Sequence, residues 1–249
     1  MNYSRIFLSL VAGLSLISST PKFASAQDAN TGEVSKKTFN TSDVTFEPPN
    51  EAYPKVTKAG ASRGNQCVLD SLELVTSFTP LLPSSNYGLT VAAHPTIMAY
   101  VPSSSAKQIF LTLQNKAEEE VYQKIIPIGY QSGIIRIDVP KESPELEVGE
   151  TYKWALALMC DNKLRPDSPV VEGYIKRVQP EFQLTNQLTV SEKIEAAAIY
   201  GKAGIWYDTI SIMAQLRQTQ PKDPNLAQTW NRLLNSVGLD SISTAEIFE

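Results

Sequence analysis

The 249-residue sequence has a single histidine, His94, and only two cysteines, Cys67 and Cys160. Metal and catalytic sites usually gather several His, Cys or carboxylate side chains at set spacings, and no such grouping is visible in the sequence. A glycine-rich phosphate loop is also absent. Ser104 and Lys107 match the S-x-x-K motif of β-lactamases, but the accompanying S-D-N and K-T-G motifs are missing. These absences predict a protein without a catalytic role, a metal or a cofactor.

The sequence also lacks an excess of basic residues. It carries 22 Lys and Arg residues against 26 Asp and Glu residues, a formal net charge of −4. Binding to a phosphate backbone depends on many Lys and Arg contacts, so this balance argues against a nucleic-acid partner. Hydrophobic residues make up 42% of the chain and charged residues 19%, which indicates a globular protein and not a disordered one.

No apolar run reaches the roughly 20 residues that a membrane-spanning helix needs. The uncharged run at residues 6–17 follows Arg5 and precedes the small residues Ala24-Ser25-Ala26. This order is typical of a secretory signal peptide, and an uncleaved anchor is the alternative. We expect cleavage after Ala26, which removes residues 1–26 and two basic side chains. The mature chain then has a net charge of −6, lacks a transmembrane segment and is periplasmic or secreted.

The remaining sequence divides into a leader, a β-rich region and a helical region. Residues 27–59 are polar, contain three prolines and lack sustained periodicity, which predicts a flexible leader. In residues 60–180, short runs rich in branched and aromatic residues are separated by Pro, Gly, Asn and Ser, a pattern that indicates strands. The seven predicted strands lie near 67–77, 89–101, 108–114, 120–128, 133–139, 151–160 and 170–178. They predict an antiparallel β-sandwich of the immunoglobulin or fibronectin type.

Two features of the sixth predicted strand support a sandwich. Tyr152 follows a turn at Gly149, the position where such folds carry a tyrosine whose hydroxyl bonds to backbone a few residues upstream. An ordinary strand tyrosine is the alternative. Trp154 shares a face of the strand with Tyr152. If each strand reverses direction, Cys67 and Cys160 lie at the same end of the sandwich, which allows a disulfide, whereas two buried free thiols are the alternative.

After Pro180 the apolar period changes from two residues to 3.6, and residues 186–249 predict three short helices. The first two are similar to one tetratricopeptide hairpin with its turn at Gly204, and Asp223 caps the third. A full repeat array is the alternative, although a single hairpin is below the three repeats usually needed. Trp206 and Trp230 offer more aromatic surface than three helices can bury, so we expect the helical region to pack on the sandwich. The fold class is α+β.

An ordered series of short motifs runs from residue 60 to the end of the sequence. The series comprises G-A-S-R-G leading to Cys67, Gly88-Leu89-Thr90, Pro95-Thr96, Tyr152-x-Trp154, Cys160-Asp161, residues 171–178, residues 203–208 and Pro221-x-Asp223 through Leu239. Together these motifs resemble the cyanobacterial family known as domain of unknown function 928. Tyr174 and Thr209 stand where Trp and Ala are expected. The resemblance implies an exported cyanobacterial protein, and it implies no activity and no catalytic residue.

We therefore expect an exported, non-catalytic binding or interaction module of the periplasm or cell envelope, whose partner is a protein or an envelope component. Loops at one end of a sandwich commonly carry recognition, so residues 102–107 and 161–169 are the predicted interaction loops. Two alternatives stay open, a structural envelope protein without a specific ligand and an enzyme of unrecognised type. The named candidate residues are Pro102, Lys107, Asp161, Asn162, Arg165 and Asp167.

Overall fold

The structure is a computed structural model that describes residues 43–51, 77–129, 132–160, 162–179 and 193–248. All of these residues fall within one compact unit, Thr38–Glu249. The strands are β1 Thr79–Pro80, β2 Tyr87–Thr90, β3 Thr96–Val101, β4 Gln108–Gln114, β5 Glu120–Pro127, β6 Gly133–Asp138, β7 Thr151–Met159, β8 Val170–Arg177 and β9 Ile247–Phe248. The helices are α1 Lys193–Lys202, α2 Trp206–Thr219 and α3 Pro224–Ser236, followed by a 3₁₀ turn at Asp240–Ile242. The predicted α+β class is confirmed.

The strands form two sheets. One has four strands in the order β1-β3-β6-β9, and the other has five in the order β2-β8-β7-β4-β5. Neighbouring strands are antiparallel except for β2 with β8 and β6 with β9, which are parallel. The last five predicted strands match β4 to β8 within one residue at each end. The seven-strand, wholly antiparallel immunoglobulin-like order is not confirmed, because the described residues form nine strands with two parallel pairings.

The predicted strand at 89–101 is wrong as a single strand. Its residues form the end of β2 and the whole of β3, which belong to different sheets. Pro95 lies between them and has no amide hydrogen to donate to a strand neighbour, so the ladder is interrupted there. The chain crosses from one sheet to the other over residues 91–95. The first predicted strand, 67–77, lies outside the described residues except for Ser77.

Both sheets contribute to one buried apolar core. In β4, Ile109, Leu111 and Leu113 are fully buried and alternate with half-buried residues, as the strand period of two requires. Trp154 of β7 is also fully buried in this core. Tyr152 is buried nearby, and its hydroxyl accepts a hydrogen bond from the backbone N–H of Glu147 at 3.0 Å. The upstream backbone bond predicted for this tyrosine is confirmed, although the immunoglobulin order is not.

Two of the predicted helix boundaries, at Asp223 and at Gly204, are found in the structure. The Asp223 carboxylate accepts hydrogen bonds from the backbone N–H groups of Asn225 and Leu226, and Pro224 occupies the first helical position of α3. The predicted cap is confirmed. Gly204, at the turn between α1 and α2, has φ +73°, and a β-carbon there would lie about 3.0 Å from the backbone nitrogen of Pro49. Glycine is therefore required at this turn. The predicted capping box at 189–192 lies outside the described residues.

The first turn of α2 joins the helices to the sheets. Trp206 donates from its indole N–H to the carbonyl oxygen of Leu81 at 2.7 Å, and the next two residues, Tyr207 and Asp208, also hydrogen-bond to strand residues. Trp206 and Trp230 are fully buried in the same apolar core as the sheets. Three consecutive side chains thus hold α2 against the strands.

The expectation of a flexible leader does not hold for residues 43–51. Val44 is buried, and the Phe46 ring meets the Trp206 ring edge-on with centroids 4.8 Å apart. Farther along, Glu51 forms an ion pair of 2.7 Å with Lys176 of β8. Val44 belongs to the main apolar core and Phe46 packs on α2, so contacts with residues distant in sequence bury this segment. The predicted signal peptide at 1–26 and residues 27–42 and 52–59 lie outside the described residues.

Candidate interaction surface

The two predicted interaction loops lie at the same end of the five-stranded sheet, which we call the loop end. Gln108, directly after the first loop, is paired with Met159, two positions before the second. Val170, which follows the second loop, is paired with Ala157 of β7. The registers therefore bring the loops together, as the sequence predicts. Asp161 lies outside the described residues.

The loops differ in what they present at the surface. In the first, Pro102 is buried, and Lys107 is exposed. In the second, Asn162, Arg165 and Asp167 are exposed. The backbone N–H of Arg165 donates to the hydroxyl oxygen of Ser168 at 3.0 Å, and this bond closes a turn. Most of the accessible polar surface at the loop end therefore comes from the second loop.

Cys160 follows β7 directly and forms an isolated antiparallel bridge with Lys163. No cysteine in the described part of the chain is free. The predicted partner of Cys160 is Cys67, which lies outside the described residues. The pairing of these two cysteines therefore stays a prediction.

An apolar row crosses the outer face of the five-stranded sheet beside the loop end. Phe110 is half-buried on the face of β4 whose other side chains are polar. Ile125 of β5 is directly opposite Phe110 on one side, and Ala157 of β7 is directly opposite it on the other. Val170 of β8 is opposite Ala157. Directly opposed side chains are neighbours on one face of a sheet, so these four residues form a continuous band, the apolar row.

The apolar row is open to solvent at both ends. Ile125 is 50% exposed, Val170 is 41% exposed, and Leu164 of the second loop is 51% exposed. β5 is the edge strand of the sheet, so the row is accessible from the side at Ile125. One row further from the loop end, the same strands carry polar residues at Gln123, Thr112 and Glu172. Ala155 of β7 also lies in that row, and on the other side of the apolar row Pro127 and Met159 flank Gln108. Both neighbouring rows therefore mix polar and apolar residues, whereas the apolar row has none that is polar.

Basic side chains surround the apolar row. Lys107, Lys163 and Arg165 belong to the two loops at this end. In the described residues of the two loops, Asp167 is the one acidic side chain. With Asp161 counted, the sequences of the two loops carry three basic and two acidic residues, an excess of +1 in a chain whose net charge is −4. Such a local excess of positive charge attracts acidic surfaces.

A small polar cavity of about 200 Å³ lies where the first turn of α2 meets β2 and β3. Here the Asp208 carboxylate accepts hydrogen bonds from the Thr90 hydroxyl at 2.8 Å and the Val91 N–H at 3.1 Å. Burial, partly offset by these bonds, raises the pKa of Asp208 to about 6. Burial and the nearby Asp208 carboxylate raise the pKa of Tyr200 to about 12. The cavity is therefore built around a buried acid that titrates near neutral pH.

The single histidine lines this cavity as well, but its visible role is structural. The Nε2 atom of His94 is 3.0 Å from the carbonyl oxygen of Ser143, so this nitrogen donates to the backbone. Ser211 donates to the Thr96 hydroxyl, which in turn donates to Asp138. Neither of these two hydroxyl bonds involves His94. The expectation that the protein is not an enzyme stays a prediction.

Residues 60–64, G-A-S-R-G, also match the G-x-S-x-G pattern of serine hydrolases. They lie outside the described residues. In those enzymes the pattern occupies a sharp turn between a strand and a helix above a largely parallel sheet. The described sheets are mostly antiparallel, so they are not the largely parallel sheet in which this short pattern marks a nucleophile.

A groove of about 700 Å³ lies at the end of the five-stranded sheet opposite the loop end. Two lysines and two glutamates balance its charge, and Tyr174 contributes the aromatic ring in its lining. Sequence reasoning missed this groove because it forms between the β4–β5 turn and the start of β7, which only the register brings together. Its lining residues are Gln114, Asn115, Lys116, Glu118, Gly149, Glu150, Thr151, Lys153 and Tyr174.

Two further observations concern metals and membranes. Within the described ranges, no group of three or more His, Cys, Asp or Glu residues is arranged to hold a metal ion. In the same ranges, no helix has the length and apolar character needed to cross a bilayer.

The two sheets, the docked helices and the exposed apolar row define a mixed α+β protein with a candidate interaction face. Residues 58–247 match the model of the family described as Domain of Unknown Function (DUF928). The match covers most of the chain, and the protein belongs to this family. No curated protein matches the sequence.

Proposed function

We propose that the protein is an exported, non-catalytic interaction module that binds a partner protein through the apolar row and the basic loops beside it. The observation that carries the proposal is the alignment of Ile125, Phe110, Ala157 and Val170 across four strands. Exposed apolar patches rimmed by polar residues mark interaction sites more often than chance exposure, whereas scattered single hydrophobic residues need no explanation. Here Ile125 and Val170 are exposed at the two ends of one row, and half-buried Phe110 and buried Ala157 connect them.

The shape and charge of the surface indicate the chemistry of the partner. Four strands about 4.8 Å apart make a row of about 14 Å. A helix of about nine or ten residues covers that length at about 1.5 Å per residue, and a helix lying on a sheet is a common way to bury such a face. The basic rim favours acidic residues on either side of the apolar stripe. The proposed ligand is therefore an amphipathic helix of a partner protein, with an apolar face and acidic flanks.

Site-specific crosslinking tests the proposal. A photo-crosslinking residue at position 125 should capture a defined partner from native extract, whereas the same residue at position 123 should not. The two positions share a strand and a face, and they differ only in whether they lie on the apolar row. Equal capture from both positions, or none from either, would count against the proposal and favour a structural protein without a specific ligand.

Affinity measurements with the purified partner then quantify the contribution of the row. The double variant Ile125→Ser, Val170→Ser should weaken Kd at least about tenfold, which corresponds to about 1.4 kcal/mol. The matched control Gln123→Ser, Glu172→Gln changes the same two strands one row away and should stay within about twofold. Affinity of the wild type should fall as salt screens the basic rim. Row variants that bind as tightly as the wild type would overturn the proposal.

Export and the lack of catalysis have their own tests. The protein recovered from the periplasm or medium should begin at Gln27, as measured by mass spectrometry of the intact chain. A panel of hydrolase substrates should show no turnover. Turnover that is lost on Asp208→Asn would overturn the non-catalytic part of the proposal, because Asp208 is the buried acid of the small cavity.

A further inference from the structure

A separate cavity of about 290 Å³ lies between the last turn of α2 and β9, and it is built from elements that take no part in the apolar row. Five residues line it, and they combine one cation, one amide, one carboxylate and two apolar side chains. They are Arg217, Gln218, Pro221, Glu246 and Ile247.

Among the described residues, the buried hydrogen-bond donors without a partner include one in Arg217, which lines the cavity, and one in the ring that lies under its guanidinium. The Nη1 atom of Arg217 and the Nε1 atom of Trp230 are both buried and make no hydrogen bond. The Arg217 guanidinium lies over the Trp230 ring, 5.5 Å from its centroid. Guanidinium and indole N–H groups donate and cannot accept, so the group that would satisfy them must be an acceptor. Buried donors without a partner are rare in folded proteins and point to a missing ligand, ion or water.

The charges and hydrogen bonds around the cavity favour an anionic acceptor. In the part of the chain that the structure describes, Arg217 takes part in none of the ion pairs. The Oε1 atom of Gln218 accepts from Arg136 at 2.9 Å, which leaves the Gln218 NH₂ group to donate. Glu246 is the one carboxylate lining the cavity, and its side chain is exposed, so it can turn towards solvent. Among the described residues, therefore, the guanidinium in this cavity forms no ion pair, and the Gln218 NH₂ group provides a second donor beside it.

We propose that this cavity binds a small oxyanion, a carboxylate or a phosphate group, with Arg217 as the main donor and Gln218 as the second. The planar guanidinium presents paired N–H groups that match the geometry of both oxyanions. The Trp230 ring beneath it holds the guanidinium plane in place. This site is independent of the proposed partner-binding surface.

Thermal unfolding of the full protein with added salts tests the site. A ligand that binds only the folded state raises Tm with its concentration until the site is full. Sodium phosphate and sodium acetate are titrated separately at constant ionic strength, with sodium chloride as the reference. We expect a saturable rise in Tm with at least one of the two oxyanions and none with chloride. The salt that gives a saturable rise in Tm shows whether the site binds a phosphate or a carboxylate. The absence of a saturable rise with either salt means that water alone occupies the cavity, and this result overturns the proposal.

Four variants separate binding from general stability. Arg217→Gln should abolish the saturable rise, and Arg217→Lys, which keeps the charge and loses the paired donors, should weaken binding about tenfold. Arg232→Gln, at an arginine of α3 that does not line the cavity, should bind as the wild type does. Glu246→Gln should tighten binding severalfold, because it removes a like charge next to the anion. An unchanged response in Arg217→Gln, or weaker binding in Glu246→Gln, would overturn the proposal.

Discussion

The Tyr207 hydroxyl accepts a hydrogen bond of 2.6 Å from the indole N–H of Trp154, and it donates one of 3.1 Å to the carbonyl oxygen of Tyr174. Tyr207 belongs to α2, and the other two residues belong to neighbouring strands of the five-stranded sheet. Tyr207 and Trp154 are both buried. A single hydroxyl therefore satisfies two polar groups of the sheet at the centre of the contact between helix and strands.

Removing this hydroxyl should destabilise the protein. Tyr207→Phe leaves the buried Trp154 N–H without an acceptor, which costs about 1–3 kcal/mol of unfolding free energy. Urea unfolding of the variant and of the wild type measures the loss. Tyr122→Phe, at a half-buried tyrosine on edge strand β5, is the control and should change stability little. Equal effects of the two substitutions would show that the hydrogen bond contributes nothing specific.

Phe46 should matter although it lies in a segment expected to be flexible. Phe→Ala substitutions in full cores cost about 3–5 kcal/mol, and Phe46 is half-buried, so we expect about half that loss for Phe46→Ala. Thr45→Ala changes the exposed neighbouring residue and should be close to neutral. Denaturant unfolding measures both variants. A neutral Phe46→Ala would mean that residues 43–51 do not stabilise the fold.

Stability should depend on pH through Asp208. Its pKa is about 6 in the folded protein against an ordinary value of 3.8, so the folded state holds the proton more tightly than the unfolded state. The resulting stabilisation is complete below about pH 3.8 and is lost as pH rises through 6, a difference of about 3 kcal/mol. Asp208→Asn keeps an acceptor and does not titrate. Unfolding free energies at several pH values between 4 and 7 should diverge between wild type and variant in this direction, and parallel curves would contradict the prediction.

The predicted disulfide between Cys67 and Cys160 has a direct chemical test. The unreduced, denatured protein should contain no titratable thiol, and reduction should lower Tm. The cross-link would close a loop of 93 positions, for which chain-entropy reasoning gives about 4–5 kcal/mol as an upper value. Two titratable thiols in the unreduced sample would show that the cysteines are not paired.

Local patterns predicted the elements whose stability is local. Runs rich in branched and aromatic residues, bounded by turn residues, predicted β4 to β8 within a residue, and alternation of apolar residues supported β6 and β7. The Asp223-Pro224 pair predicted the start of α3, because the cap uses groups within three residues of it. The backbone bond of Tyr152 was predicted for the same reason, since its partner, Glu147, is five positions away.

Non-local relationships could not be predicted from the same patterns. The parallel pairing of β2 with β8 joins Tyr87 to Tyr174, and no local pattern encodes it. The burial of Val44 depends on the distant core. The outward Phe110 could have been noticed in the alternation of β4, but its neighbours Ile125 and Val170 follow only from the strand registers. The apolar row could therefore be identified only from the structure, whereas the position of the two loops at one end could be predicted from the sequence.

The first turn of α2 also determines when the protein can fold. Trp206 bonds to Leu81, 125 positions earlier in the chain, and Asp208 bonds to Thr90, 118 positions earlier. Contacts over such separations form slowly, because the entropy of closing a long loop must be lost before the contact stabilises the chain. On the ribosome, β1 to β8 emerge before residues 206–208 are available to cover them. Folding of the nascent chain therefore waits for α2, and until then the strands stay exposed to chaperones and to any machinery that handles unfolded polypeptides.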